Sequence, residues 1–241
     1  MARPRRDAAR FYDRYHSTFA VLDEEAPVIR RTMAYNREML GLLDPAPGSS
    51  VLDLSCGQGL FLKAAADSGL GLKLHGLDHS RVAVEAARRR VPEAQVRLGD
   101  ALSTGYPSAR FDGVTCLGAL EHYPDSGAGL KEIRRILRPG GRAVVYVPNL
   151  FFLGYVYLTW RSGETPHEAG QNEYERFETR QGWEGLIRSA SLRVVNVTKY
   201  NDMFASERVP APVKWAYQAF LRPFIPLNLS YCFAFLVAPD A

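Results

Sequence analysis

The stretch VLDLSCGQGLFL, residues 51–62, constrains this chain more than any other. A short apolar, β-rich run passes through Asp53 into two glycines one residue apart, and then directly into an apolar helix start. Glycine at both Gly57 and Gly59 suits a backbone that turns sharply or must be approached closely. A strand that runs through a turn into a helix also calls for a parallel neighbour, because a crossover helix returns the chain in the same direction.

The downstream sequence supplies those neighbours. SSVLDLSC (49–56) is followed by a helix-like GLFLKAAADSG (59–69), a second strand in LKLHGLDHS (72–80) and a second helix in SRVAVEAARRRVP (80–92). Ser80 is the expected N-cap of that helix, and Pro92 lies beyond its end. AQVRLGDA, RFDGVTCLGAL and RAVVYVPN read as the third, fourth and fifth strands, with SGAGLKEIRRILRPGG as a helix closed by a Pro-Gly-Gly turn. This alternation predicts an α/β fold with a doubly wound, mostly parallel sheet. Before it lies a polar, helix-prone leader (about 7–43). After residue 149 the rhythm breaks into a long aromatic and polar insertion (150–178), a helix TRQGWEGLIRSA, a sixth strand LRVVNVTKY, another helical stretch and a last strand SYCFAFLVA.

Composition removes several classes. With 46% hydrophobic and 23% charged residues the chain is globular, and its net charge of +4 is too mild and too diffuse for a nucleic-acid groove. Much of the excess sits in MARPRR, a frayed start, and in ARRR (87–90), a solvated helix end. The longest apolar runs, 149–160 and 231–238, are shorter than the roughly 20 residues of a membrane span. MARPRRDAARFYDRY lacks the apolar core of a secretory signal. The three cysteines, Cys56, Cys116 and Cys232, show no metal-ligand spacing and are expected as free thiols of a soluble, cytoplasmic protein.

In such a sheet, ligands sit beyond the carboxyl ends of the strands near the point where strand order reverses. Gly57 and Gly59 fall there, and Asp78 ends the second strand about twenty residues later, the spacing at which an acid accepts from ribose hydroxyls. A dinucleotide site would carry a third glycine where Leu62 stands, and a phosphate-binding Lys-Ser/Thr is missing. Asp53 would face an amine more comfortably than a phosphate. A cationic, phosphate-free nucleoside fits best.

Here the sequence resembles the class I S-adenosylmethionine-dependent methyltransferases, in particular the small-molecule type that includes the quinone-biosynthesis enzymes. VLDLSCGQG is similar to the family's glycine-rich first motif, GLDHS to its ribose-binding acid and LGDA to the loop under the adenine. FDGVTCLGALEHYPD and LRPGGRAVVYVPN resemble its fourth and fifth strand regions. The resemblance implies a seven-stranded Rossmann-like sheet over residues 45–241, an N-terminal helical lid over 1–44 and a substrate-covering insertion at about 150–178. It implies S-adenosylmethionine as cofactor and S-adenosylhomocysteine as product. Gly57 and Gly59 would line the methionine portion and Asp53 would orient its amino group. Asp78 would take the ribose hydroxyls with His79 packing nearby, Asp100 and Ala101 would hold the adenine, and Leu117 would cover the methionine side.

Methyl transfer needs in-line alignment and exclusion of water, and a base only if the acceptor must lose a proton. His122, in LEHYPD just past the fourth strand, is the candidate base or a shelf beside the cofactor, with Glu121 and Tyr123 as neighbours. Tyr12, Tyr15 and His16 in the leader form a second reservoir of catalytic groups. Related quinone O-methyltransferases place a metal near Glu-x-x-Glu-His; Gly118 stands at the first Glu here, so no metal is expected. The implied reaction is O-methylation of a secondary or lipid-like small molecule. Two readings stay beside it: a non-methylating enzyme catalysing a cyclisation or rearrangement, and a methyltransferase acting on protein or RNA. The aromatic half of the insertion could cover a flat acceptor, form core or a homodimer face, or rest on a membrane.

Overall fold

Strand β1 (Ser50–Leu54) lies in the interior of a seven-stranded sheet whose order is β3-β2-β1-β4-β5-β7-β6. The other strands are β2 (Lys73–Asp78), β3 (Gln95–Leu98), β4 (Phe111–Leu117), β5 (Leu137–Pro148), β6 (Leu192–Tyr200) and β7 (Cys232–Pro239). Pairing is parallel from β3 through β5, whereas β7 runs antiparallel to both β5 and β6. The chain winds outward from β1 through β2 to β3, then returns to the other side of β1 for β4 and β5. The crevice that this reversal opens lies at the carboxyl ends of β1 and β4. The computed structural model describes residues 12–13, 17, 26–163, 175–200, 219–220 and 222–240.

Every residue of β1 is buried, as expected for a strand covered on both faces. One face packs against α4 (Ser126–Ile136) and α6 (Arg180–Ser189) through Leu130, Ile133, Trp183 and Ile187. The opposite face packs against α1 (Pro27–Leu43), α2 (Leu60–Ala66) and α3 (Arg81–Arg90) through Leu43, Phe61, Leu62 and Val84. Trp183 is fully buried and donates its indole N–H to the Pro148 carbonyl at 2.9 Å, so its one polar atom is satisfied. Helix starts are read locally: Ser80, Asp125 and Thr179 each accept a backbone N–H with the side chain, as N-caps should.

One expectation changes. The insertion is not one long loop, because α5 (Leu153–Ser162) forms inside it. Residues 153–162 offer only one glycine before Gly163, whose φ of +75° closes the helix. The buried Phe152 ring at its start packs edge-on to Tyr155 and Tyr231. The polar half of the insertion, residues 164–174, lies outside the described residues, as does the helical stretch expected at 201–218. Of the leader, helix α1 forms Pro27–Leu43, starting at Pro27 where a missing N–H costs little, and Tyr12, Asp13 and Ser17 are helical as well; its other residues before Ala26 lie outside the described ones. No helix among the described residues is long and apolar enough to cross a membrane.

Candidate active site

The glycine turn is held from beneath by an acid. Gly57 has φ +50° and donates its N–H to Asp78 Oδ2 at 2.8 Å, while Ser80 N–H donates to Asp78 Oδ1 at 2.8 Å. Asp78 is buried at the end of β2, so its first task is to fix the turn after β1 against the start of α3. A carboxylate offers about four lone-pair positions, and two backbone donors leave room for a ribose diol. On its other flank the turn is tied to the β4 side, where the Ser55 and Tyr123 hydroxyls lie 2.7 Å apart.

The two glycines differ in purpose. Gly59 has φ +78°, and a Cβ built on it would lie 3.0 Å from the Cβ of Ala87 and 3.1 Å from its Cα. Its bareness therefore serves the close approach of α3 as well as the turn. Leu62, where a dinucleotide site would have glycine, is fully buried against β2. The missing bulk is moved to the strand: a Cβ on Gly76 would lie 2.9 Å from Leu62 Cδ1.

Asp53 sits buried at the head of the crevice and accepts a hydrogen bond from Thr115 Oγ1 at 2.8 Å. Among the described residues it makes no ion pair. Burial pushes its carboxyl up to about 7, against the Thr115 hydrogen bond and with help from the negative Asp78. Two buried acids, one near the end of β1 and one ending β2, thus stand beside an open-backboned turn. That arrangement calls for a cation bearing hydroxyls, and the amino acid and ribose portions of S-adenosylmethionine fit that donor set. Asp100 and Ala101 follow β3, where Asp100 Oδ1 accepts from Leu102 N–H at 2.9 Å and so shapes the turn on which an adenine would rest. Leu117 ends β4, and Gly118 (φ +65°) turns the chain away from it.

The leader reaches this edge. Asp13 Oδ1 accepts from the Ser80 hydroxyl at 2.5 Å. The Tyr12 ring lies edge-on to His79 with centroids 5.0 Å apart and to His122 at 6.2 Å. Tyr12 therefore spans from the end of β2 to the turn after β4, across the glycine turn. Tyr15 and His16 lie outside the described residues.

His122 is half-buried in a 3-10 turn, Leu120–His122, directly after β4. It is not isolated. Glu121, His122 and Glu175 each bring one potential ligand atom to within 4.8 Å of the others. Glu121 is buried, its Oε2 has no hydrogen-bond partner, and burial followed by the charge of Glu175 raises it to about 8. Glu175 arrives from the far end of the insertion, where Arg176 N–H donates to the Glu121 carbonyl at 2.8 Å. Sequence reasoning noted Glu121 only as a neighbour of His122 and missed Glu175, for which no local signal exists. It missed Tyr35 of α1 as well. That phenol is buried without a partner, its ring is 5.0 Å from Tyr146 and 5.1 Å from Tyr200, and burial and then negative neighbours that include Glu121 and Asp53 raise it. Cys56, Cys116 and Cys232 are free and buried; Cys56 and Cys116 follow or end neighbouring strands yet remain unpaired.

Residues 52–145 match the family described as "Methyltransferase domain". That span is a class I S-adenosylmethionine-dependent methyltransferase domain, and S-adenosylmethionine is the cofactor that goes with it. The chain is 38% identical over 112 residues to nocamycin O-methyltransferase of Saccharothrix syringae, covering 44% of this chain and 40% of that protein. It is 33% identical over 144 residues to demethylmenaquinone methyltransferase of Corynebacterium kroppenstedtii, covering 58% and 59%. The matched region thus spans about half the length of these curated relatives. Among solved structures, the cyclase SpnF superposes with a TM-score of 0.68 at 16% identity, covering 97% of this chain and 96% of that one, which shows the shared fold.

Proposed function

We propose that this protein transfers a methyl group from S-adenosylmethionine to an oxygen of a small-molecule acceptor in the cytoplasm. The observation that carries the reading is the crevice itself, with Asp53 and Asp78 buried beside the Gly57 turn and the His122 cluster across from them at the end of β4. When bound, the cofactor supplies an electrophilic methyl group. The chain's own residues do the rest: Asp53 meets the amino group, Asp78 the ribose, Asp100 and Ala101 the adenine, and Leu117 flanks the methionine portion. His79 packs at the rim against Tyr12.

His122 and its two carboxylate neighbours stand where an acceptor hydroxyl would lose its proton. The contacts of Tyr12 and Asp13 support residues 1–44 as a lid over the domain formed by 45–241, excluding water once closed. Phe151, Tyr157 and Trp160, exposed on and beside α5, support an apolar acceptor or a membrane-proximal one. The two relatives are named for nocamycin and for demethylmenaquinone, which supports a small-molecule acceptor over protein or RNA.

The test is incubation with methyl-labelled cofactor and a panel of hydroxylated aromatic and polyketide-like acceptors. Label in a small-molecule product is the expected result. Label in protein or RNA, or acceptor turnover without label, would overturn it.

A further inference from the structure

We propose that Glu121, His122 and Glu175 form a divalent-cation site at the mouth of the crevice, with Glu175 as the ligand that only the folded insertion provides. The inference does not need methyl transfer to be right; it rests on the cluster. One carboxylate oxygen from each glutamate and one imidazole nitrogen lie within 4.8 Å of one another. Ligand atoms bonded to one ion at about 2.1 Å are at most about 4.2 Å apart, so the site closes on a cation with small side-chain adjustments.

A cluster of acids alone would say little, since exposed carboxylates often gather without an ion. The decisive atom is Glu121 Oε2, which is buried and has no hydrogen-bond partner. An unsatisfied buried carboxylate oxygen is costly, and a second carboxylate beside it makes matters worse unless a positive charge joins them. The described contacts do not supply that charge from a side chain. Arg176, next in sequence to Glu175, extends its guanidinium to Glu178 at 3.4 Å.

Glu175 is also held in place. The Arg176 N–H to Glu121 carbonyl bond fixes the 175–176 backbone to the turn that carries the other two ligands. Two residues on, the chain is pinned again where Leu150 N–H donates to the Glu178 carbonyl at 3.0 Å. Gly118 lies beside Glu121, where an added Cβ would only touch Glu121 Oε1 at 3.8 Å. A carboxylate is thus absent from position 118 and present, through tertiary structure, from position 175. Two carboxylates and one imidazole suit Mn²⁺, Mg²⁺, Fe²⁺ or Zn²⁺ over thiophilic ions. Placed beside the acceptor, such a cation would bind a hydroxyl and lower its pKa, with the His122 nitrogen acting as ligand in place of base.

The experiment titrates Mn²⁺ into the full chain after chelator treatment and follows the free-ion signal by electron paramagnetic resonance, with no turnover involved. The expected result is about one bound ion per chain, competed by Mg²⁺ or Zn²⁺, with Glu175→Gln and Glu121→Gln each weakening it by about 10–100-fold, as loss of a group that holds a site together does. Glu175 is half-buried, so Glu175→Gln remains informative if Glu121→Gln does not fold. Absence of a bound equivalent up to millimolar Mn²⁺, or both variants binding as wild type, would overturn the site. Cofactor titration on the same samples separates this from the functional reading. Cofactor binding without Mn²⁺ binding removes the cation site alone, and Mn²⁺ binding without cofactor binding removes the cofactor reading alone.

Discussion

The β1–β2 side of the crevice and the β4–β5 side are built on opposite principles. On the β1–β2 side, each site residue belongs to the same two strand-turn-helix units, and Asp78 reaches Gly57 across 21 positions through a single 2.8 Å bond. On the β4–β5 side, Glu121 and His122 meet Glu175 through a bond from Arg176 N–H to the Glu121 carbonyl, and Tyr35 joins from α1 before the sheet begins. The first side is a local device, a glycine turn tied to a strand-end acid. The second is an assembly of distant pieces, and such places can change acceptor without disturbing the cofactor.

That contrast can be broken most sharply at His122. His122→Ala is expected to lower turnover by about 10²–10⁴-fold while cofactor affinity stays within about threefold, because a lost proton acceptor or cation ligand raises the barrier and leaves the nucleoside contacts intact. Steady-state kinetics and calorimetric titration on the same variant measure both. Partial recovery with excess Mn²⁺ would favour the cation role, and no recovery the base role. Equal losses in turnover and cofactor affinity would show that the two sides are not separable.

On the other side, Asp78→Ala is expected to weaken cofactor binding by more than tenfold. Hydrogen bonds to a charged acceptor contribute about 1.5–3 kcal/mol each, and each 1.4 kcal/mol is about tenfold. The same change releases Gly57 N–H and Ser80 N–H, so a thermal melt should show a lowered midpoint as well. Unchanged affinity would take the ribose away from Asp78.

The smallest expected effect is in pH. Asp53 is raised to about 7 by burial, so in the free protein it holds a proton that an unfolded chain would release near 3.8. Its contribution to stability is therefore lost as pH rises through that window. A bound ammonium favours the carboxylate, so cofactor binding should release a proton below pH 7 and tighten with rising pH, by at most about tenfold per unit. Calorimetry in buffers of different ionisation enthalpy detects the proton; a flat profile between pH 5.5 and about 7.5 would remove Asp53 from the cofactor's amino group.

The order of strands and helices, the N-cap at Ser80 and the glycine turn with its strand-end acid were legible in the chain because each rests on short-range rules: burial on both faces, glycine at positive φ, an acid at a strand end. Leu62 shows how far that legibility goes. Its presence in place of glycine was readable, but the compensating bareness of Gly76 depends on which strand face meets α2. Helix α5 was missed because most of its apolar residues are aromatic or β-branched and carry no clean period, and its Tyr155 packs on Phe177 and Tyr231.

What the amino-acid sequence determined by itself is the glycine turn and its acid: VLDLSCGQG and GLDHS specify a turn, a carboxylate and their spacing, and local backbone geometry then leaves little choice. What only the tertiary structure decided is the third member of the cluster at the end of β4. Position 118 says that no carboxylate is present, and nothing near it in the chain says where another comes from. Glu175 is brought there by a backbone hydrogen bond from Arg176 to Glu121, a contact between segments more than fifty residues apart. Such a contact lies beyond short-range rules, because the entropy of closing so long a loop must be offset by packing elsewhere in the fold.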